Sequence, residues 1–240
     1  MAQVINTNVA ALFAGAALNT SALGLRTAQE QLSSGLRINS VADDPTGLGI
    51  AIGYQSKING TNVAIQNANN AISNAQTADG YAAQITANLQ RLYQIAVQLG
   101  GTATGAETSA LLAENARIAG LTTVGVGVGV SVDGVGTQVT GVGASIVAPT
   151  NVTVSGISAD LTAVSASRAK FGADIATYSS AVAVMQTTSV NLSAAYSRIM
   201  DTDYAAATTA MTRNNILQQA GTAVLAQANQ TPNTVMTLLR

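Results

Sequence analysis

The longest regular pattern of apolar positions in the chain runs from Ile157 to Ile199. Alternating steps of four and three meet Ile157, Leu161, Val164, Arg168, Phe171, Ile175, Tyr178, Val182, Met185, Ser189, Leu192, Tyr196 and Ile199, all apolar except Arg168 and Ser189. No proline interrupts them. Such steps average about 3.5 residues, which marks the stripe of a helix laid along another helix. At a rise of about 1.5 Å per residue the segment would reach roughly 65 Å. A stripe that long cannot be buried on a compact core, so the pattern demands a second long helix.

That second helix lies upstream. Asp44 followed by Pro45 is an N-cap and first-turn pair, so a helix is predicted to begin there. Its apolar face carries Ile58, Ile65 and Ile72, then Ala75, Ala78, Ala82, Ile85, Leu89, Leu92, Ala96 and Leu99, and Gly100-Gly101 should end it. Thr104-x-x-Glu107 matches a capping box, opening a shorter helix that should stop near Gly120. From Leu121 the period changes to two. Val124, Val126, Val128, Val130 and Val132 alternate with small residues, Asp133-Gly134 follows, and Val135, Thr137 and Val139 resume the alternation, which predicts a hairpin with a type I′ turn. Between Gly141 and Asn151 the alternation decays, and an elastin-like segment is the rival reading there.

Both ends of the chain are striped more thinly. Val4, Ala11, Leu18, Leu25 and Leu32 fall seven apart, and beyond Ile199 only Gly221 and Pro232 act as breakers. On the C-terminal side Leu217, Val224 and Leu238 are the candidate packing residues. Neither end has enough apolar area to stay folded by itself. A chain that runs out, turns in a hairpin and runs back makes an antiparallel helical pair. The predicted fold is therefore mostly α: a long antiparallel helical rod, a coiled-coil bundle, with a small β-hairpin tip. Residues 44–200 form the rod, with the tip at about 121–156. Residues 1–43 and 201–240 form paired terminal helices at its other end, an assembly element in which Val4, Leu18, Leu25, Leu32, Leu217, Val224 and Leu238 supply the packing.

Composition narrows the chemistry. His, Cys and Trp are absent, which removes imidazole bases, thiol nucleophiles and the usual zinc ligands, so no cofactor or metal is expected. No disulfide can form, which suits a reducing compartment or a chain threaded unfolded through a narrow channel. With 10 basic and 11 acidic groups the net charge is −1, leaving no field to draw nucleic acid or anionic lipid. Charged residues reach only 9%, which points to a chain that packs against copies of itself. Met1-Ala-Gln-Val has no basic or strongly apolar region, so no cleavable secretory signal is expected, and no run of 18 strongly apolar residues suggests membrane insertion. The acidic pairs Asp43-Asp44 and Asp201-Thr-Asp203 stand at helix boundaries, where carboxylates cap helices far more often than they catalyse. No glycine-phosphate loop or nucleophile elbow occurs, so an enzyme is not expected.

Several stretches carry a resemblance. Ala2-Gln-Val-Ile-Asn-Thr-Asn, Leu32-Ser-Ser-Gly-Leu-Arg-Ile-Asn-Ser with Ala42-Asp-Asp downstream, and Leu89-Gln-Arg-Leu-Tyr-Gln-Ile-Ala-Val-Gln resemble the N-terminal signature of bacterial flagellin. Asn191-Leu-Ser-Ala-Ala-Tyr-Ser-Arg-Ile-Met-Asp-Thr-Asp-Tyr and Ile216-Leu-Gln-Gln-Ala-Gly-Thr-Ala-Val-Leu-Ala-Gln-Ala-Asn-Gln resemble the C-terminal one. The likeness spans about the first hundred and the last eighty residues, and the middle is too short for large outer domains.

The resemblance implies a structural subunit of the flagellar filament. Its terminal helices would line the inner tube, and it would be located in the extracellular flagellum after export by the flagellar secretion apparatus. Implied partners are further copies of itself, an export chaperone holding residues around 200–240, hook-associated and cap proteins, and the vertebrate Toll-like receptor for flagellin. For that receptor the likeness carries over Gln90, Arg91 and Leu92, with Glu114 as a nearby acidic contact. Tyr93 and Gln94 stand where the family often has an arginine and a glutamate, implying weaker recognition. The rivals are a hook–filament junction protein, which shares the terminal helices but is longer in the middle, and a secreted coiled-coil adhesin or effector.

Overall fold

The structure, a computed structural model, describes residues 7–121, 129–131, 138–141 and 145–238. Its elements in chain order are α1 (Val9–Ser34), α2 (Pro45–Gln98), α3 (Ala106–Leu121), β1 (Gly129–Ser131), β2 (Gln138–Thr140), α4 (Val154–Met200) and α5 (Tyr204–Leu238). They divide into two compact units, residues 54–194 and residues 1–53 with 195–240.

In the unit 54–194, α2 and α4 run antiparallel. Ser189 Oγ donates to Asn62 Oδ1 at 3.4 Å, Arg168 Nε donates to Asp79 Oδ1 at 2.7 Å, and Thr102 pairs with Thr153, so the partner number falls as α2 is climbed. The α4 stripe is as the sequence predicts. Ile157, Val164, Phe171, Tyr178 and Met185 are buried, and the positions between them are half-buried. On α2 the face from Ala75 to Ala96 matches, and lower down Ile65 and Ile72 pack at its border while smaller residues take the fully buried positions. Thr61, Ala64, Ala68, Ala71, Ala75, Ala78 and Ala82 are the buried positions, while Ile58, Ile65 and Ile72 are only half-buried. The reason is volume. Tyr178 and Met185 project from α4 against Ala64, Ala68 and Ala71, and only small residues leave space for them at close-packed density. The isoleucines border the seam.

Glycine ends α2 as expected, through a Schellman motif. Gly101 N–H donates to Ala96 O (2.8 Å) and Gly100 N–H to Val97 O (3.2 Å), with φ of 79° at Gly100 and 129° at Gly101. Leu99 falls in this turn and is exposed, so it leaves the apolar face assigned to it. Helix α3 then starts one residue later than a Thr104 cap would place it, and the capping box is not formed. Gly105 turns the chain with φ 110°, its carbonyl accepts from Ser109 N–H at 3.2 Å, and Glu107 reaches Arg91 instead.

The hairpin pairs Val130 with Val139, antiparallel, and its Asp133-Gly134 turn lies outside the described residues. A two-residue Asp133-Gly134 turn would set Val130 opposite Thr137, so the register differs from the predicted one. The position also differs. Val139 packs on the cluster of Ala64, Ala68, Tyr178 and Met185, and Gly141 N–H donates to Tyr178 Oη at 2.9 Å. The β segment therefore sits beside the middle of α4, some 36 Å along it from Val154 at about 1.5 Å per residue, and not as a tip beyond its end. Apolar Val139 is half-buried there, packed on side chains that an end tip would not reach. A Cβ at Gly141 would lie only 3.0 Å from the Asp174 carboxyl carbon, so this close approach requires glycine.

In the other unit, Leu36 and Asp201 form an antiparallel bridge, flanked by Arg37 N–H to Met200 O (2.6 Å) and Thr202 N–H to Gly35 O (2.9 Å). Ile38, Ala51 and Met200 form its small buried core. Asp44 and Asp203 cap α2 and α5 through Gly47 N–H (2.8 Å) and Ala205 N–H (2.9 Å), the role assigned to both acidic pairs. Helix α5 continues through Gly221 and Pro232, neither of which breaks it. By length and composition α1 is apolar enough to cross a membrane, unlike the reading of the sequence. Much of that apolarity is alanine, and the helix lies against α5.

The small-residue seam predicts that Ala68→Leu lowers unfolding free energy by about 1–3 kcal/mol through overpacking. Ile65→Leu, at the border, should lose less than about 1.5 kcal/mol. Urea denaturation followed by circular dichroism measures both, and equal losses would return the seam to the isoleucines.

Candidate assembly site

Helices α1 and α5 each carry a 4-3 stripe facing the other. On α1 it is Ala11, Ala14, Leu18, Ser21, Leu25, Ala28 and Leu32, and on α5 Ala207, Met211, Asn214, Gln218, Gly221, Leu225 and Ala228, all buried or half-buried. The pairing is antiparallel: Asn8 reaches Ala228, Leu18 lies over Gly221, Gly24 faces Asn214 and Gly35 approaches Tyr204. A Cβ on Gly24 would meet Asn214 Nδ2 at 2.8 Å, and one on Gly221 would meet Leu18 Cδ1 at 3.1 Å. One glycine on each helix thus lets the axes close.

Of the residues singled out for packing, Leu18, Leu25 and Leu32 are half-buried in this seam. Leu217 and Val224 point away from it and are exposed, the latter by 57%. Leu238 is the last residue of α5, and Val4 lies outside the described residues. The α5 seam was hard to read because polar and tiny residues, Asn214, Gln218 and Gly221, occupy it, and apolar Leu217 and Val224 drew the stripe one step round the helix. Outside the seam the pair presents Val9, Leu12, Phe13 and Leu23 on α1 and Ile216, Leu217 and Val224 on α5, with Phe13 79% exposed. An open groove between the helices is lined by Ala17, Thr20 and Ser21 of α1 and Ala210, Arg213 and Leu217 of α5. Across the two helices the ionisable side chains are Arg26, Glu30, Arg213 and Tyr204, so contact with this surface is governed by apolar area.

The matches cover both arms of the chain. Residues 5–123 match the family profile of the bacterial flagellin N-terminal helical region, and residues 154–239 match that of the bacterial flagellin C-terminal helical region. The Flagellar filament 33 kDa core protein of Treponema phagedenis is 32% identical over 285 aligned positions, covering 99% of this chain and 100% of that protein. The chain belongs to the bacterial flagellin family. It is a structural subunit of the flagellar filament, and such filament proteins are part of the extracellular flagellum. Flagellin of Salmonella muenchen is 47% identical over 48% of this chain, and that of Salmonella typhimurium 51% identical over 41%. The chain spans only 23% and 20% of the length of these Salmonella relatives.

This flagellin places the residues assigned to receptor contact at the α2–α3 corner. Leu92 is fully buried in the core with Leu89, so it offers no surface to a partner. Gln90 is exposed, Arg91 Nε binds Glu107 Oε1 at 2.7 Å, and Glu114 takes two bonds from Arg117 at 2.6 and 2.9 Å. Buried Asn88 Nδ2 donates to fully buried Asn115 Oδ1 at 2.8 Å, a polar pair that sets α3 at one height on α2. The hydrogen bond from Arg91 lowers the Glu107 pKa, and that from Arg117 lowers Glu114. Backbone N–H groups of Ser40 and Asn39 lower Asp43, which closes the turn before α2.

These depressed values fix the sign of the pH dependence. Each carboxylate adds stability above its unfolded pKa, near about 4, and loses it as pH falls through the lower folded value. With no histidine in the chain, the urea midpoint should stay level between about pH 5.5 and 8 and decline below about pH 4. A midpoint series across that range tests this, and a step near about pH 6.5 would contradict it.

Proposed function

We propose that copies of this chain bury the outer faces of the α1–α5 pair against one another in the filament core. The observation that carries this is the row of exposed Leu12, Phe13, Leu23, Ile216, Leu217 and Val224 on a pair whose own seam is already filled. Leu18, Leu25 and Leu32 fill the pair's own seam, and Val4 and Leu238 extend the packing between copies. Residues 1–43 and 201–240 act together as the terminal core element, and residues 44–200 as the outer helical part. The pair's seam is poor in apolar area, so much of its order comes from polymerisation. Deleting residues 201–240 should abolish seeded filament growth in electron micrographs and leave the helical signal of residues 44–200. Wild-type chain should gain helicity on polymerising, and filaments grown from the truncated chain would overturn this assignment.

The same reading extends to the partners. The chain passes through the flagellar secretion apparatus unfolded, which the lack of cysteine permits, and an export chaperone covers the apolar face of α5 around Ile216–Val224. Hook-associated and cap proteins meet the same terminal helices at the filament's ends.

A receptor reading is favoured by the exposed corner that carries Gln90, Arg91 and Glu114 without Leu92. The Toll-like receptor for flagellin would engage this corner on free subunits and must compete with Glu107 for Arg91. Arg91→Ala should weaken binding by at least about 1 kcal/mol in a titration, as hot-spot arginines do. Unchanged affinity in a folded variant would remove Arg91 from the interface.

A further inference from the structure

Arg213 is the single charged residue of α5, and α1 carries Arg26 and Glu30 alone. Arg26 Nε lies 3.2 Å from Glu30 Oε1 in an exposed i, i+4 pair, whereas Arg213 makes no ion pair among the described residues. Its side chain lines the open groove between the helices, with Ala17, Ala210 and Leu217 beside it. The threonine hydroxyls around it are turned into their own helices. Thr20 Oγ1 donates to Ala16 O at 3.1 Å, Thr209 Oγ1 to Ala205 O at 2.8 Å and Thr212 Oγ1 to Thr208 O at 2.9 Å. Arg213 thus stands largely among methyl groups and spent hydroxyls, with no carboxylate lining the groove.

Glu30 of the same copy is out of reach. Ala17 and Thr20, beside Arg213, each precede a seam residue, Leu18 and Ser21, by one position. Arg26 and Gln29, which share a surface with Glu30, each follow one, Leu25 and Ala28. At about 100° per residue, a step back and a step forward lead to opposite flanks of the pair. Gly24 faces Asn214, so Glu30 also stands roughly 9 Å farther along α1 than Arg213 does. Copies that bury the outer faces of the pair would trap the guanidinium, and a buried charge without a partner is strongly destabilising.

Other side-chain carboxylates in residues 1–43 and 201–240 are held locally. Asp43 accepts from Asn39 and Ser40 N–H, Asp203 caps α5, and Asp201 accepts from Ser197 Oγ at 2.5 Å. Glu30 has only the exposed pair with Arg26, which is worth little and is easily exchanged. We propose that Arg213 in the groove of one copy pairs with Glu30 on the opposite flank of a neighbouring copy. Apolar area drives this contact, and the charge pair selects which flanks meet. Because the flanks differ, the contact is heterologous. Each copy offers Arg213 to one neighbour and Glu30 to another, the arrangement that propagates as an open helical filament.

The proposal rests on the reading of α1 and α5 as the assembly element, and four full-length chains test it: wild type, Arg213→Glu, Glu30→Arg and the double exchange. The critical concentration for seeded filament growth is measured for each at low ionic strength, where charge contacts are least screened. Either single exchange sets like charges against each other between copies and should raise the critical concentration at least about tenfold. The double exchange restores opposite charges and should return it to within about threefold of wild type. Circular dichroism of the free subunits checks that the helices of residues 44–200 are intact in all four. A double exchange that grows no better than the weaker single exchange overturns the proposal, and so does Arg213→Glu growing as wild type does. If no chain elongates seeds, wild type included, the assembly reading itself fails, whereas loss of rescue alone removes only the Arg213–Glu30 pairing.

Discussion

The contact on which the larger unit depends is a seam of unequal partners: alanines on α2 against tyrosine, phenylalanine and methionine on α4. Fully burying a large apolar side chain is worth about 1.5–3 kcal/mol, and an alanine contributes far less. The seam therefore gains most of its burial from one helix. The other contributes closeness, letting Phe171, Tyr178 and Met185 reach full burial. A long pair built this way needs few charges. A bidentate ion pair across the seam, Arg168 to Asp79 at 2.7 and 3.3 Å, sits where the apolar stripe is interrupted.

With four ion pairs among the described residues, the positions of the helices are set largely by hydrogen bonds at their ends. Asp44 and Asp203 cap α2 and α5, and Gly35 closes α1 in a left-handed conformation with φ 72°, donating to Gln31 O at 2.9 Å. The Gly100-Gly101 turn closes α2, and Arg37 covers the last carbonyls of α4. Each joins a chain reversal to a helix terminus, where backbone groups have no partner inside the helix. The α1–α5 pair shows the same economy: a seam of small and polar residues held at its two ends, with its larger apolar side chains turned outward. That arrangement suits a subunit whose final burial is supplied by neighbouring copies.

The sequence by itself determined the long 4-3 stripe of α4, the start of α2 at Asp44-Pro45, its end at Gly100-Gly101, the antiparallel run of the chain and the family. Each of these is written locally, in period, cap or turn chemistry, and needs no knowledge of what lies opposite. The tertiary structure decided what depends on a partner's shape. Ile58, Ile65 and Ile72 yielded the seam to alanines because α4 presents large side chains there. Val139 drew the hairpin against the middle of α4, Leu217 and Val224 turned outward because Gly221 and Asn214 fit α1 more closely, and Leu92 went to the core. The hydrogen bond from Asn8 to Ala228 O was the least legible, since the residues stand at opposite ends of the chain. An apolar count ranks residues by what they would gain from burial, whereas a packed interface selects those that fit, and fit is a property of two surfaces at once.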